Sequence, residues 1–543
     1  TALVTLLFAA HLPALRFQTS IYDLTIEDLP ETLTYQRFKE TFGCEEIILV
    51  VARTTGVFDP ETFRQIDQLS RALSRIHGVK QLVSLPDIKR AMDITDKWGL
   101  SDFEKVVSDV DLFQRNLISQ DHKTTTITLV LEDIDHKDRV INAVNNLIEA
   151  YQKGFSLYQV GMPIVSSALS RFTQEDFVTL PAITFSLIAM ILFCFFRNLR
   201  GILIPSGTVL IALIWTFGLM AWTGTPLSLL TMIVPVFLIA VGTAYCMYIF
   251  SDYLSAAGQS VTPADAAVQC LGRLGFPTSL AVITTIIGLG SLLLNRVNDI
   301  REFALFSCIG ILFLLILLLT FLPAVMGLLP LPKRSMSPPS AVYRLMDRVL
   351  SAIVRLNLRH QKITLPVMAI LALAGGIGIS RIQVETNPIE FFRKDAPVAR
   401  HFHDIYQDMS GSFPVSVIID SPENDYFEDA ANLQKINQVQ GFLNSLPGVD
   451  KTISIVDYLK LINYAANQYN PSFYELPRAA YEVRMLVNSL KTLLGHDMLR
   501  RFMSPDFSDA HIMLRTHISS SSDFLSTEAI IRDHLDRNLP SNM

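Results

Sequence analysis

Two kinds of hydrophobic pattern alternate along this chain. Residues 177–196, 201–223, 228–250, 276–294 and 303–330 are runs without a charge, each long enough to cross a bilayer as a helix. A shorter run, 363–379, follows, and residues 1–15 form an apolar stub interrupted by His11 and Pro13. A signal-peptide core would look similar, but the junction after the stub recurs after 363–379, which favours the end of a membrane helix.

Between 17 and 176 the apolar positions recur at short helical and strand spacings. They predict helices over 31–42, 59–76, 87–118 and 138–152, and strands over 46–52, 79–85, 124–131 and 156–160. Asp59 can cap the second helix, Pro60 suits its first turn, and Gly78 stops it. Strands separated by such helices predict βαβ packing in a compact sandwich.

The pattern then repeats. Arg16-Phe17-Gln18 aligns with Arg381-Ile382-Gln383, and Phe42-Gly43 with Ser410-Gly411, each of the latter pairs before an apolar strand. His77-Gly78-Val79 aligns with Pro447-Gly448-Val449, Leu85-Pro86-Asp87 with Ile455-Val456-Asp457, and 126–131 with 511–516. The offset drifts from 365 (381 against 16) to 385 (511 against 126), as loop insertions would cause. Met543 then corresponds to Tyr158, so the second copy is expected to stop before its last strand and roughly 170 residues of helices. The chain also begins at Thr1, as a trimmed N-terminus would.

The resulting layout is a partial first membrane helix (1–16), an α/β domain (17–176), membrane helices two to six (177–330), a linker (331–362), a seventh helix (363–380) and a second, incomplete α/β domain (381–543). The expected class is a polytopic α-helical membrane protein with two extracytoplasmic α/β domains and an internal duplication.

Composition agrees with a mixed protein. Half the residues are hydrophobic and mean hydropathy is +0.35, too apolar for a soluble protein, while 18% are charged. A net charge of −6 gives no reason to expect nucleic acid. Residues 332–362 hold seven basic residues (Lys333, Arg334, Arg344, Arg348, Arg355, Arg359, Lys362) against Asp347. Setting this linker, Arg197–Arg200 and a loop over 251–275 in the cytoplasm puts both α/β domains outside; only 295–301 dissents. The five cysteines lack metal spacing, and only Cys44 falls in an outside domain, so no disulfide forms within one.

Chemistry centres on 228–250. Gly242, Thr243, Tyr245, Cys246 and Tyr248 are the polar cluster of this apolar block, and Tyr245, Tyr248 and Asp252 share a helix face at i, i+3 and i+7. No charged residue lies inside a complete span, where one would cost roughly 2.5–3.5 kcal/mol and be kept for function.

Gly161-Met162-Pro163 before the second helix, Thr284-Thr285-Ile286-Ile287-Gly288-Leu289 in the fifth, Arg301-Glu302-Phe303 opening the sixth and Leu322-Pro323-Ala324 closing it carry a family resemblance. In this order the chain resembles the resistance-nodulation-division superfamily, in particular predicted exporters of the mycobacterial-membrane-protein-large (MMPL) and hydrophobe/amphiphile-efflux type, relatives of Patched. The resemblance covers the whole chain. It implies a multi-pass protein of the bacterial inner membrane exporting lipids, lipid-linked compounds or drugs on the proton motive force. Implied partners are membrane lipids, the amphiphilic substrate, a homo-oligomer and periplasmic or outer-membrane proteins.

One departure matters. Where family members carry Gly-x-Asp-Tyr, this chain reads Gly242-Thr243-Ala244-Tyr245, so the relay acid is Ala244. The resemblance makes Gly242, Thr243, Tyr245 and Tyr248 coupling candidates, with the tenth helix facing Tyr245. Tyr245 also reads as a packed aromatic. Thr284 and Thr285 read as cross-helix partners of Tyr245 or as hydroxyls bonding their own backbone. Arg301 and Glu302 read as a gate or as interface anchors. His401, His403, His511 and His517 fit no zinc spacing and read as surface histidines. No Walker motif, nucleophile elbow or carboxylate pair is present, so neither ATP, a metal, a cofactor nor enzymatic catalysis is expected. The competing function is a non-transporting scaffold or lipid and sterol sensor, and an acid in the tenth span would decide for transport.

Overall fold

The computed structural model describes residues 1–543 except 18–29, 44–45, 94–96, 133–136, 153, 258–261, 329, 331–340, 383–386, 412, 494, 519 and 541–543. Cys44, Gln18, Gln383, Lys333 and Arg334 fall outside the described residues. Helix α1 (Ala2–His11) is followed by α2 (Pro30–Phe42), β1 (Ile47–Arg53), α3 (Pro60–Leu73), β2 (Val79–Val83), α4 (Leu85–Met92), α5 (Leu100–Asp109), β3 (Thr124–Leu131), α6 (Lys137–Tyr151) and β4 (Ser156–Val160). Then come α7 (Met162–Phe196), α8 (Leu199–Thr223), α9 (Val234–Ala257), α10 (Pro263–Gly290), α11 (Asn298–Leu319), α12 (Phe321–Leu328), α13 (Ala341–Arg359) and α14 (Gln361–Ile379). The last part holds α15 (Pro397–Asp408), β5 (Phe413–Asp420), α16 (Ala430–Asn444), β6 (Val449–Ile453), α17 (Ile455–Ala466), α18 (Ala480–Leu493), α19 (Gly495–Arg500), β7 (Asp509–Thr516) and α20 (Ser521–Asn538).

Two compact units result: Thr1–Glu27 with Leu169–Ile382, and Asp28–Ala168 with Gln383–Met543. The first holds six helices long and apolar enough to span a membrane, among the described residues, plus the shorter Ala2–Ala14. Three features differ from expectation. Helix α7 starts at Met162 and runs for 35 residues, about 52 Å, so it is longer than the bilayer core and the unit boundary falls at 168. Residues 251–275 are mostly helix: α9 continues to Ala257, and Thr262 caps α10 by accepting from the Asp265 amide, with Pro263 at the first position. Within the linker, 341–359 is the helix α13.

Close approach organises the spans. A Cβ on Gly218 of α8 would lie 2.5 Å from the carbonyl oxygen of Phe8, so only glycine lets α1 sit there. Trp215 Nε1 donates to Thr5 Oγ1 at 2.9 Å beside it.

In the second unit, β1–β4 form one sheet in the order β2-β3-β1-β4, every pairing antiparallel. The crossovers β1-α3-β2 and β3-α6-β4 each skip over a strand, giving the split βαβ pattern of ferredoxin-like folds rather than adjacent parallel strands. Phe63, Ile66, Leu69 and Leu73 form the buried stripe of α3 and pack with Val140, Val144 and Ile148 of α6 and alternate residues Ile48, Val50 and Ala52 of β1. Asp59 precedes α3 without a side-chain cap bond, and residues 110–118, expected helical, are turns. Gly161, at φ +152°, joins β4 to α7 where a Cβ would lie 2.4 Å from the Ile47 oxygen.

The second sheet has the order β5-β7-β6. Its β6–β7 pairing shifts between Val449 and Lys451, and β2–β3 shifts between Val79 and Gln81. Among the described residues β5 pairs only with β7, whereas β1 pairs with both β3 and β4. The two sheets exchange helices. Before β5, α15 packs on the first sheet: Arg53 Nε donates to Asp408 Oδ2 at 2.8 Å, and His401 stacks on Tyr158 at 4.5 Å. Before β1, α2 packs on the second: Phe38 meets His511 edge-on at 5.1 Å, and Arg500 Nε donates to the Thr41 oxygen at 2.8 Å.

Candidate functional site

The candidate site lies in the first unit, where α8, α9, α10 and α11 meet. Gly242 makes the meeting possible: a Cβ there would be 2.9 Å from Val209 Cγ2 and 3.2 Å from Leu314 Cδ1. Gly310 does the same from α11, at 2.6 Å from Leu238 Cδ1 and 3.0 Å from Thr216 Oγ1. Small residues that let helices approach are how apolar spans associate where no hydrophobic force separates protein from lipid. Thr243, one residue on, is buried.

One turn further, Tyr245 Oη lies 3.3 Å from Thr285 Oγ1 of α10. The Thr285 hydroxyl also reaches the Ala281 carbonyl oxygen at 2.8 Å, and a carbonyl can only accept. The Thr285 proton is thereby committed to its own helix, and Tyr245 is left as the donor between α9 and α10. At 3.3 Å this bond is longer than the usual O–H···O distance of about 2.7–2.8 Å.

The other candidates are not brought to this point. Thr284 is exposed and donates to the Ala281 oxygen at 2.9 Å. Tyr248 is 55% exposed, on the outside of the described helices. Arg301 is exposed and Glu302 half-buried in the first turns of α11. Cys308 Sγ lies 3.5 Å from the Ile286 oxygen and marks the level of Thr285, so Glu302 sits about 9 Å nearer the start of α11.

Sequence reasoning missed two polar groups of these helices, Thr278 and Ser307. Among the described residues the hydroxyls of Thr278 and Ser307 are buried without a hydrogen-bond partner, as is Oδ2 of Asp252 near the end of α9. Asp252 was legible as the end of the tyrosine stripe; Thr278 and Ser307 carry no signal that separates them from ordinary span residues. The histidines have separate surroundings: His401 stacks on Tyr158, His511 Nδ1 bonds the Arg501 oxygen at 2.7 Å, and His517 Nδ1 meets Asp450 at 2.9 Å.

The profile of the MMPL family matches residues 31–355. A Methanocaldococcus jannaschii protein named as a membrane protein is 22% identical over 348 residues, 58% of this chain and 87% of its own length. An apo-petrobactin exporter of Bacillus anthracis is 23% identical over 455 residues, 77% of this chain. The match covers 59% of that exporter, so this chain spans less than two thirds of it. With a family match over more than half its length and six helices of spanning length, the chain belongs to the MMPL family and is a multi-pass membrane protein.

Proposed function

We propose that the full-length protein is a secondary transporter of resistance-nodulation-division type that exports hydrophobic or amphiphilic molecules, driven by protons across a bacterial inner membrane. The observation that carries this reading is the family match together with the exporter among its relatives. In this reading the protein is a duplication with both α/β halves outside the cytoplasm. The duplication is supported by two sheets that share strand order and a bulge at Val79/Gln81 and Val449/Lys451.

Because the uncharged run 228–250 carries Ala244 in the family's acid position, this reading takes the titrating carboxylate from another helix, with Tyr245 as its hydrogen-bonding partner. In this reading the acid carries the proton and Tyr245 orients it through its hydroxyl. Its bond to Thr285 then parks the hydroxyl in one coupling state. Gly242 and Thr243 keep the helices close, while Tyr248, Thr284, Arg301 and Glu302 have supporting roles at the edge. Tyr245→Phe keeps the ring and removes the hydroxyl. We expect folded protein whose export by the full-length form falls and loses its pH dependence. Unchanged export with unchanged pH dependence would refute the coupling role. Ala244 in the family's acid position, within the uncharged run 228–250, favours a second reading, a lipid or sterol sensor without transport; absence of any export by the wild type would support it.

A further inference from the structure

The helix α13 has no counterpart among the motifs read from the sequence, and its surroundings single it out. Residues 344–359 are exposed at every position, including Leu345, Val349, Ile353 and Leu356. Nothing in the described protein covers this apolar face.

The helix is two-sided. Arg344, Arg348, Arg355 and Arg359 are spaced by four, seven and four residues, which at 3.6 residues per turn puts them on one stripe about 60° wide. Leu345, Val349, Ile353 and Leu356 are spaced by four, four and three and fall on an adjoining stripe, widened by Met346 and Leu350. Asp347 is the lone acid of the helix and stands off the arginine stripe. An exposed apolar face beside a basic one suits a surface where apolar matter and negative charge lie side by side.

The helix is also tied to a membrane. Only His360 separates α13 from α14, a span of 19 residues from Gln361 to Ile379. The end of α13 is therefore held at the level where α14 enters the bilayer. A helix that begins at the bilayer surface, with one apolar and one cationic side, meets the two parts of that surface at once: acyl chains and anionic headgroups.

We propose that α13 lies in the bilayer interface at the start of α14 and binds anionic lipid headgroups through Arg344, Arg348, Arg355 and Arg359. Guanidinium groups suit this role because each offers a planar fork of donors that pairs with a phosphate in two bonds. The interaction makes the membrane contact of this segment sensitive to lipid charge. It stands whether or not the protein exports anything.

The test is hydrogen exchange of the full chain in nanodiscs of phosphatidylcholine alone and of phosphatidylcholine with about a third phosphatidylglycerol. Backbone protection of 344–359 should rise at least roughly tenfold in the anionic discs and fall back with raised salt, which screens exposed charges. Replacing all four arginines by glutamine should erase the difference, and replacing them by lysine should keep most of it. Exchange of β3, which belongs to the other unit, serves as the folding control. High protection that is equal in both discs would mean that a protein surface covers α13, and equally low protection that water does; either result overturns the proposal.

Discussion

His401 stacks on the Tyr158 ring, with Arg53 and Arg400 nearby. Burial pushes its imidazole below the ordinary value of 6.5, the two arginines push the same way, and Asp404 opposes them. Burial also raises the Tyr158 phenol to about 12, so it stays neutral at physiological pH. A histidine whose folded pKa is depressed contributes stability that is present above its unfolded value and lost as pH falls through the folded one. The α/β unit should therefore lose thermal stability as pH falls below 6.5, and His401→Phe, which keeps the stacked ring, should flatten that slope. Melting curves of both proteins between pH 7.5 and the acid limit of folding, roughly pH 5, check this; equal slopes would assign the acid sensitivity elsewhere. Tyr245 belongs to the same scale: its role rests on one hydroxyl, and its ring alone would fill the same space.

Among the elements, β1 and β5 make the informative pair. β1 is buried along its five central residues, whereas β5 buries only Val417 and Ile419. A groove of about 910 Å³ runs along 414–420, walled by α20 and by Tyr35 and Phe38 of α2. Strand β7 lies between β5 and β6 and has partners on both sides, whereas β5, among the described residues, has one. Amides of β5 should thus exchange at least roughly tenfold faster than those of β1; equal protection would show that the groove is filled in solution. Strand limits are legible to the residue at 124–131, where β-branched alternation ends at turn residues, and at 156–160. Strand order is not, since a split crossover and an adjacent one share the same local pattern. Helix α13 is hidden in the sequence because its arginines count equally as linker charge and only their spacing marks a helix. At the candidate site, Tyr245 and Thr285 were both legible from type and register, but their contact depends on how α9 crosses α10, which no single span encodes.

At the scale of the whole molecule, the basic residues at 344–362 still argue for a cytoplasmic segment between α12 and α14. A single cysteine at Ser351, in a background lacking the five native cysteines, should resist a membrane-impermeant thiol reagent in intact cells and react once they are opened. Reaction in intact cells would invert the topology and put the α/β unit inside. The helix exchange between the two sheets has a further consequence, which concerns synthesis. Arg53 waits for Asp408, which is 355 residues later in the chain. At about 5–20 residues per second, the ribosome needs roughly 20–70 s to make that stretch. Throughout that interval the first sheet stands without α15, and the intervening spans must be inserted before it arrives. The first half of the α/β unit thus remains unfinished until the second is made, so a nascent chain stalled after α14 presents an open sheet to chaperones and proteases.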